Sequence, residues 1–201
     1  MNRRSIAVFD FDGTLTTKDS FLKFIKFTHG LPSLVLGLII HLPFVLAMKL
    51  RLCSNEFAKQ RMFAYFYKGM DYERFCAYGR DFAACIESFS RKKMVEKLLN
   101  HHTKGHRVYI VSASMGEWID PWAAKLGVDR VVATRVETDA DNRLTGKFAS
   151  PNCYGPEKVR RFLEVEPDRS SYLLYAYGDS QGDKEMIDCA DFGTYCSSAG
   201  R

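Results

Sequence analysis

Two aspartates stand close together at the end of the first apolar run of the chain. The run "SIAVFDFD", residues 5–12, fits a buried parallel strand and ends in Asp10 and Asp12, just before the turn signal Gly13-Thr14. Residues two apart in a strand point to the same face, so both carboxylates leave the strand together. The pair suits one nucleophile and one acid/base. The plainer alternative is a solvated strand exit at a turn.

Further polar residues follow later apolar runs. Ser112 ends "VYIVS", and its hydroxyl, with the backbone N–H groups from Ala113 onward at a helix N-terminus, would form an anion site. Lys158 lies two residues into the helix that begins near Pro156. Each signal is weak alone, because most such serines only cap helices and most such lysines are exposed.

Two more acids, Asp179 and Asp183 in "YGDSQGD", follow the last long apolar run. Together with Asp10 they would supply the hard oxygen ligands that Mg²⁺ favours. The alternative is a helix N-cap followed by acids in the first turn. The sequence therefore predicts a magnesium site, with a structural cap as the rival interpretation.

The elements that must position these residues form an α/β pattern with one large interruption. More than ninety residues separate the first apolar run from the next, at 106–114, whereas a βαβ unit needs about 30. We expect a doubly wound parallel sheet built from residues 1–15 and 90–201, with an all-helical cap inserted at 16–89. After the cap we expect helices near 90–103, 116–126 and from 156, strands at 107–112, 129–134, "YLLYAYGDS" and "DFGTYC", and a hairpin over 135–148.

All four signals fall at the carboxyl end of a predicted strand or just inside the following helix, where open α/β sheets bind ligands. The ordered set "DFDGT", "VSAS", Lys158 and "GDSQGD" resembles the four motifs of the haloacid dehalogenase-like superfamily of phosphohydrolases across nearly the whole chain. The helical insertion resembles the subfamily that includes phosphoserine phosphatase. "GHRVYIVSAS", "LTGKF", "NCYGPEKV" and "YAYGDSQGD" are similar to subfamily IB hydrolases of the phosphatidylglycerophosphatase C type.

This resemblance implies a mechanism for phosphate-ester hydrolysis. Asp10 would attack phosphorus and become an aspartyl phosphate, and Asp12 would act as acid and then base. Ser112, Ala113 and Lys158 would hold the phosphoryl oxygens. Mg²⁺ would bind Asp10, the backbone carbonyl of Asp12 and Asp179 in the motif that also contains Asp183. An alkoxide leaving group needs a proton and a halide does not, so Asp12 favours phosphate esters over haloacids.

The chain departs from the phosphoserine-type pattern where substrate is selected. Asp19 replaces a glutamate that binds the substrate ammonium, Gly182 replaces an asparagine, and Ala113 replaces a glycine. These departures argue against phosphoserine itself. In the cap, Lys59 and Arg61 are candidates for an anionic part of the substrate, with ordinary helix-surface cations as the alternative.

Charge and cysteine content restrict the classes of binding partner and the cellular compartment that we expect. The net charge is +5, and residues 16–70 hold eight Lys or Arg against two Asp or Glu. This basic region suits anionic substrates or lipid, and the sequence contains nothing that resembles a nucleic-acid module. The six cysteines form no C-x-x-C pair and the N-terminus lacks the pattern of a cleavable signal peptide, so we expect a cytoplasmic protein with reduced thiols. "HHTKGH", residues 101–106, is interpreted as a solvated turn.

The stretch "LPSLVLGLIIHLPFVLAM", residues 31–48, contains no charged residue. Three interpretations stay open: apolar packing buried inside the cap, a membrane-contacting surface that admits a lipid phosphate at the inner face of the membrane, and a transmembrane span. We expect Pro43 to break or kink the stretch near His41. Buried cap packing is favoured.

Three functions compete for the whole chain. The first is a Mg²⁺-dependent phosphomonoesterase acting on a lipid phosphate, such as phosphatidylglycerophosphate, or on a small soluble metabolite. The second is a phosphoryl-accepting regulatory module, which explains neither the cap nor Asp12. The third is a non-enzymatic membrane adaptor, which only the apolar stretch and the basic region support.

Overall fold

A five-stranded parallel sheet forms the centre of the protein. The structure is a computed structural model that describes residues 3–50 and 52–196; Arg51 of the basic region and both chain ends lie outside the described residues. The sheet has the order β3-β2-β1-β6-β7. Its strands are β1 Arg4–Phe9, β2 Arg107–Met115, β3 Arg130–Thr134, β6 Tyr172–Gly178 and β7 Phe192–Tyr195. The predicted doubly wound α/β fold is confirmed.

The direction of winding reverses at β1. On one side β1 pairs with β2, where Phe9 lies opposite Ile110, and on the other it pairs with β6, where Phe9 lies opposite Tyr177. The chain first builds β2 and β3 to one side and later β6 and β7 to the other. Such a reversal opens a crevice beyond the carboxyl ends of the strands, and Asp10 is the first residue after β1.

Alternating side chains of β1 enter two separate cores. Ala7 and Phe9 belong to the cluster that includes the cap and the helices α4 (Lys92–Thr103) and α5 (Gly116–Lys125). Ile6 and Val8 belong to the cluster beneath α6 (Pro156–Val165) and α7 (Lys184–Asp188). Because β1 is buried on both faces, its backbone is a rigid base for Asp10.

The inserted segment forms three helices, α1 Ser20–Lys49, α2 Asn55–Tyr67 and α3 Tyr72–Ile86. Each begins at a capping side chain, because Asp19, Ser54 and Asp71 accept hydrogen bonds from backbone N–H groups in the first turn. Aromatic packing ties the cap to the core: the ring of Phe24 stacks on Trp118 of α5 at 4.4 Å. The cap therefore sits directly over the crevice.

The bend in α1 lies at Gly30, and of the break or kink predicted at Pro43 the break does not occur. Gly30 has φ 81° and ψ 168°, a conformation that strongly favours glycine, and the helix restarts with Pro32 in its first turn, where a missing N–H costs no hydrogen bond. The helical conformation continues through Pro43, which lies on an exposed face where the affected carbonyl can turn to solvent.

The apolar stretch is exposed, so the favoured interpretation of buried cap packing is wrong. By length and composition α1 could cross a membrane, yet only 17% of its most apolar window is buried within the protein. Leu34, Gly37 and His41 form the buried stripe, and the other faces carry exposed leucine, isoleucine and valine side chains. The cap is too small to cover them, because α2 contacts one side of the helix only.

The predicted hairpin forms and supports the cap. Its strands are β4 Val136–Thr138 and β5 Leu144–Phe148, and Asn142 in the turn has φ 58°, as the turn signal at Asp141-Asn142 indicates. Leu144 accepts a backbone hydrogen bond from Gly69 and donates one to Met70 at the end of α2. The hairpin is thus hydrogen-bonded to the end of the cap helix α2.

The histidine cluster is only partly solvated. His101 is buried, and its ring nitrogens lie 2.8 Å from Nδ1 of His106 and 2.9 Å from the hydroxyl of Tyr177 in β6. The interpretation of residues 101–106 as a solvated turn is therefore wrong for His101, which packs under the sheet, and fits His102, which is exposed.

Candidate active site

The carboxyl ends of β1, β2 and β6 bring the predicted motif residues together. Asp10 follows β1 and donates its backbone N–H to the carbonyl of Tyr177 in β6 at 2.8 Å. Ser112 lies in β2 and Asp179 directly follows β6. Adjacent parallel strands end at one edge of a sheet, so three residues distant in sequence meet at one crevice.

A buried lysine bridges two buried aspartates at this edge. Lys158 Nζ lies 2.5 Å from Oδ1 of Asp10 and 2.5 Å from Oδ1 of Asp183. Burial alone would lower the pKa of Lys158, but the two carboxylates outweigh it and raise that pKa above its usual value. Lys158 therefore stays charged. Its helix, α6, is aimed at the site by Gly155, whose φ of 60° favours glycine.

Asp183 is held in place on both of its oxygens. Oδ2 accepts hydrogen bonds from the backbone N–H of Asp179 and of Ser180 and from the Ser180 hydroxyl, while Oδ1 takes Lys158. Burial would raise its pKa, but Lys158 and these donors lower it below the usual value. Asp183 thus fixes both the Lys158 ammonium and the loop that carries Asp179.

Asp12 points away from Lys158 and toward the cap. Its Oδ1 accepts from the backbone N–H of Ser20 at 2.7 Å, and its Oδ2 accepts a short hydrogen bond from Ser114. Burial, with a smaller contribution from the Asp19 carboxylate, raises the pKa of Asp12 to about 6. This carboxyl group can therefore carry a proton near neutral pH and also give it up.

Asp10 sits in a different electrostatic environment. Burial raises its pKa to about 7, and the adjacent Lys158 ammonium opposes that rise. Asp10 is paired with a cation, the Lys158 ammonium, whereas Asp12 accepts hydrogen bonds from the neutral donors Ser20 and Ser114. Two carboxyl groups two residues apart are thus fitted to different tasks.

Three carboxylates form a group that could hold a cation. Oxygens of Asp10, Asp179 and Asp183 all lie within 4.8 Å of one another. Burial and, secondly, the Asp183 charge raise the pKa of Asp179. The positive charge near this carboxylate is therefore too small to offset the cost of burying it. Gly13 makes room, since a Cβ there would lie 2.2 Å from Oδ2 of Asp179. Hard oxygens and uncompensated negative charge fit Mg²⁺. The Asp12 carboxylate, turned toward the cap, is not part of this group.

Strand β2 offers polar groups to the same space, but it continues to Met115 and α5 begins only at Gly116, so the predictions that the strand ends at Ser112 and that Ala113 lies at a helix N-terminus are wrong. Ser112 is buried and its Oγ accepts the backbone N–H of Ser114 at 3.0 Å. Lys59 reaches down from α2 and donates to the carbonyl of Ala113 at 2.8 Å. Burial lowers the pKa of Lys59, with Asp19 and Asp12 opposing the change. A cap lysine therefore contacts the loop predicted to bind phosphate.

One cavity of about 420 Å³ joins these groups to the cap. Its polar lining includes Asp10, Asp12, Ser112, Ala113 and Lys158 from the core and Asp19 and Lys59 from the cap. Its apolar lining comes mainly from α1 and α2: Phe21, Leu22, Leu38, Val45, Met48, Ala58 and Met62. The cavity therefore reaches from a buried charged centre to half-exposed apolar side chains on α1.

Of the two cap cations predicted to face substrate, Lys59 lines the cavity and Arg61 does not. Arg61 is exposed on α2, with its guanidinium 4.9 Å from the centre of the Phe44 ring. The two residues are two apart in a helix, so they point about 200° apart around its axis, and only one can face the core. For Arg61 the alternative of a surface cation fits the structure.

Sequence patterns missed several residues of the site. Ser114 and Ser20 hold the Asp12 carboxylate, and Tyr154 and Ser180 line the cavity. Ser114 was within reach of prediction, because it follows Ser112 by two residues in the same strand. Tyr154 was not, since it precedes α6 in an irregular segment and meets the site through contact with Gly182, where a Cβ would lie 2.3 Å from its ring.

Comparison with known proteins gives concordant results. The family model described as haloacid dehalogenase-like hydrolase matches residues 7–188. Protein CicA of Caulobacter vibrioides is 36% identical over 188 residues, which span 92% of this chain and 83% of that protein. A solved protein of unknown function from Bordetella pertussis superposes with a TM-score of 0.80 at 21% identity, covering 94% of this chain and 88% of the other.

A substrate-bound phosphoserine phosphatase structure also shares the fold. It superposes with a TM-score of 0.64 at 17% identity and covers 94% of this chain and 84% of that one. At this level of identity the similarity concerns the fold, including a helical segment after the first strand, and leaves the substrate to the residues of the site.

Proposed function

The chain belongs to the haloacid dehalogenase-like hydrolases, and on that premise we propose that it is a Mg²⁺-dependent phosphomonoesterase whose substrate carries an apolar tail, such as the lipid phosphate phosphatidylglycerophosphate. One observation carries the proposal. Asp10 and Asp12 line the same cavity but have different partners, Lys158 for the first and Ser114 and Ser20 for the second. That division of roles is what a nucleophile and an acid/base require.

The first half of the reaction transfers the phosphoryl group to the protein. An oxygen of Asp10 attacks phosphorus, an Asp–phosphorus bond forms, and the bond from phosphorus to the ester oxygen breaks. Protonated Asp12 gives its proton to the departing alkoxide. Lys158, Ser112 and the backbone at Ala113 hold the phosphoryl oxygens, and the Lys158 ammonium offsets repulsion between Asp10 and its anionic target.

The second half regenerates the free protein. Asp12, now a carboxylate, takes a proton from water as the water oxygen attacks phosphorus. The Asp10–phosphorus bond breaks, inorganic phosphate leaves, and both aspartates return to their starting states. Asp10, Asp179 and Asp183 would hold the Mg²⁺, whose charge would offset the negative charge that gathers on the phosphoryl oxygens.

The composition of the cavity supports a substrate with an apolar tail. Phe21, Leu38, Val45 and Met48 of α1 line the space that also contains Asp10 and Lys59. A small polar ester would leave these side chains facing water, whereas an acyl chain would bury them at about 25 cal/mol per Å² of apolar area. A soluble, phosphoserine-like metabolite is the competing substrate class, and Asp19, which lines the cavity in place of the glutamate of the phosphoserine-type pattern, is the acid that would contact its ammonium.

A matched pair of substrates separates these classes. Glycerol 3-phosphate and dihexanoyl phosphatidic acid share a phosphate head and differ in the apolar tail; phosphoserine and micellar phosphatidylglycerophosphate extend the series. With Mg²⁺ present, we expect kcat/KM for dihexanoyl phosphatidic acid to be at least about tenfold higher than for glycerol 3-phosphate. Asp12→Asn should hydrolyse every ester of the series more slowly than the wild type. Efficient turnover of small soluble esters with the lipids ignored would overturn the lipid substrate. No turnover of any ester would overturn the phosphatase.

A further inference from the structure

An unusually apolar surface runs along the second part of α1. Six of its side chains are between 46% and 63% exposed: Leu31, Val35, Leu36, Ile39, Leu42 and Leu46. We call these six the apolar face. Contiguous exposed patches of this kind are rare on soluble monomers and mark sites of protein or membrane contact.

The apolar face is held rigidly outward. On the opposite side of the helix Leu34, Gly37 and His41 are buried against α2. A Cβ on Gly37 would lie 2.4 Å from the ring of Phe66, and the His41 ring packs edge-on against Tyr65 at 5.3 Å. This close packing fixes the rotation of α1, so the apolar face cannot turn inward without unpacking the cap.

Positive charge lies at both ends of α1. Lys18, Lys23 and Lys26, with Asp19, Leu22 and Leu34, line a second cavity of about 220 Å³ beside the first part of the helix, and Lys49 is exposed at its end. Across residues 16–70 there are eight basic residues against two acidic ones. Apolar side chains flanked by lysines match the surface of an anionic bilayer, where acyl chains lie beneath negatively charged head groups.

We propose that the apolar face docks on the surface of an anionic phospholipid bilayer, with α1 lying in the plane of the membrane interface. Leu38, Val45 and Met48 on the same helix line the catalytic cavity, so docking would set the cavity against the lipid. The docking stands on α1 and its lysines alone. Delivery of a lipid substrate from the membrane to the cavity rests on the proposed function.

Docking at the surface fits the structure better than a span. Leu38, Val45 and Met48 line the cavity that contains Asp10, Asp12 and Lys158, so a crossing α1 would carry these charged groups into the hydrocarbon. The N-terminal part of α1 is also fixed in the core, where Phe24 is fully buried against Trp118. A helix lying flat satisfies both constraints.

A second copy of the chain is the rival occupant. The regional charge argues against it, because each copy would bring the same excess of eight basic over two acidic residues in residues 16–70. Repulsion of this kind is relieved by an anionic membrane and not by an identical partner.

Vesicle sedimentation tests the proposal with the full-length chain. The probe is large vesicles of phosphatidylcholine with 30% phosphatidylglycerol, compared with pure phosphatidylcholine. We expect binding to the anionic vesicles to fall at least about tenfold in Leu36→Glu/Ile39→Glu, because both charges would enter the acyl region. Lys23→Glu/Lys26→Glu should bind the anionic vesicles about fivefold more weakly for each lysine replaced. Most of the salt dependence of vesicle binding should disappear with these two lysines.

The matched control is Leu99→Glu, which changes an exposed leucine on α4, in the core domain. It should bind vesicles like the wild type. Turnover of soluble p-nitrophenyl phosphate is measured for every variant, separately from vesicle binding. Neither Leu36 nor Ile39 lines the catalytic cavity in the described part of the chain, so a folded variant should keep this turnover.

Three results would overturn the docking. They are a wild type that stays in the supernatant, a Leu36→Glu/Ile39→Glu variant that still sediments, and a wild-type dimer that this variant dissociates without any vesicle binding. Each leaves p-nitrophenyl phosphate turnover as an independent measure of the phosphatase. If vesicle binding behaves as expected while no ester is hydrolysed, the docking stands and the proposed function fails.

Discussion

The ammonium group of Lys158 lies 2.5 Å from Oδ1 of Asp10, and both side chains are almost fully buried. A residue of α6 thus neutralises a residue 148 positions earlier in the chain. The contact occupies one oxygen of Asp10 and so keeps the other for phosphorus. It also places a fixed cation where an anionic phosphate must approach.

Replacing this lysine should destabilise the fold as well as stop the reaction. In Lys158→Met, Asp10 and Asp183 lose their shared cation, and an unpaired buried charge costs about 3–5 kcal/mol. Urea unfolding in EDTA measures the loss, and kcat with p-nitrophenyl phosphate measures the activity. Lys184→Met, which removes an exposed lysine paired with Asp188, is the control and should unfold at the same urea concentration as the wild type. Equal stability of both variants would contradict the role of Lys158.

Replacing the acid/base residue should affect the two half-reactions differently. Asp12→Asn keeps an oxygen for the Ser20 N–H but can neither give nor take the proton, so kcat for an alkyl phosphate should fall about 10²- to 10⁴-fold. With dinitrophenyl phosphate the leaving group needs no proton, so we expect a rapid burst of phenolate followed by slow turnover. Stopped-flow absorbance resolves the burst. Unchanged kcat with the alkyl ester would rule out this role.

Removal of metal should abolish turnover and Mg²⁺ should restore it. Asp179→Asn should raise the Mg²⁺ concentration for half-maximal activity at least about tenfold, because one anionic ligand is lost from the three-carboxylate group. Asp81→Asn, on the exposed side of α3, is the matched control and should respond like the wild type. Full activity of the wild type in EDTA would show that hydrolysis does not need a metal ion.

His101 should lower stability in mild acid, and Asp10 and Asp12, whose pKa values are raised, should act in the opposite direction. Burial, reinforced by the nearby His106, lowers the pKa of His101 to about 4, below the value of about 6.5 in an unfolded chain. Below pH 6.5 the unfolded state takes up the proton first, so this stability is complete above pH 6.5 and is lost as the pH falls toward 4. The expected loss between pH 7 and pH 5 is about 2 kcal/mol.

Urea unfolding at the two pH values measures this loss. Relative to the wild type, His101→Gln should be more stable at pH 5 than at pH 7 by about the 2 kcal/mol that His101 contributes, whereas His102→Gln, at an exposed position, should follow the wild-type profile. The same dependence in both variants would show that another group is responsible.

The catalytic motifs were predictable because their signals are local. A buried strand followed by acids, a serine near the end of a strand and a lysine in the first turn of a helix each depend on a few neighbouring residues. Strand order then brings Asp10, Ser112 and Asp179 to one edge. The contact of Ser20 with Asp12 depends on how the cap sits on the core, and no short pattern encodes it.

The environment of α1 was not predictable for the same reason. Composition shows that residues 31–48 avoid charge, but exposure depends on how many elements pack around the helix, and the second part of α1 is packed against α2 along one side, through Gly37 and His41. The bend also followed tertiary context: Pro43 stays helical on an open face, and Gly30 takes the bend. His101 was misassigned because the contact with Tyr177 joins positions 76 residues apart.

The central claim is that Asp10 becomes phosphorylated during turnover, and rapid acid quench tests it most directly. Wild type mixed with ³²P-labelled substrate and Mg²⁺ should carry label that is stable in acid, released by hydroxylamine and located by mass spectrometry in the peptide that contains Asp10. The label should accumulate in Asp12→Asn and be absent from Asp10→Asn. Label at another residue, or full turnover by Asp10→Asn, would contradict the account.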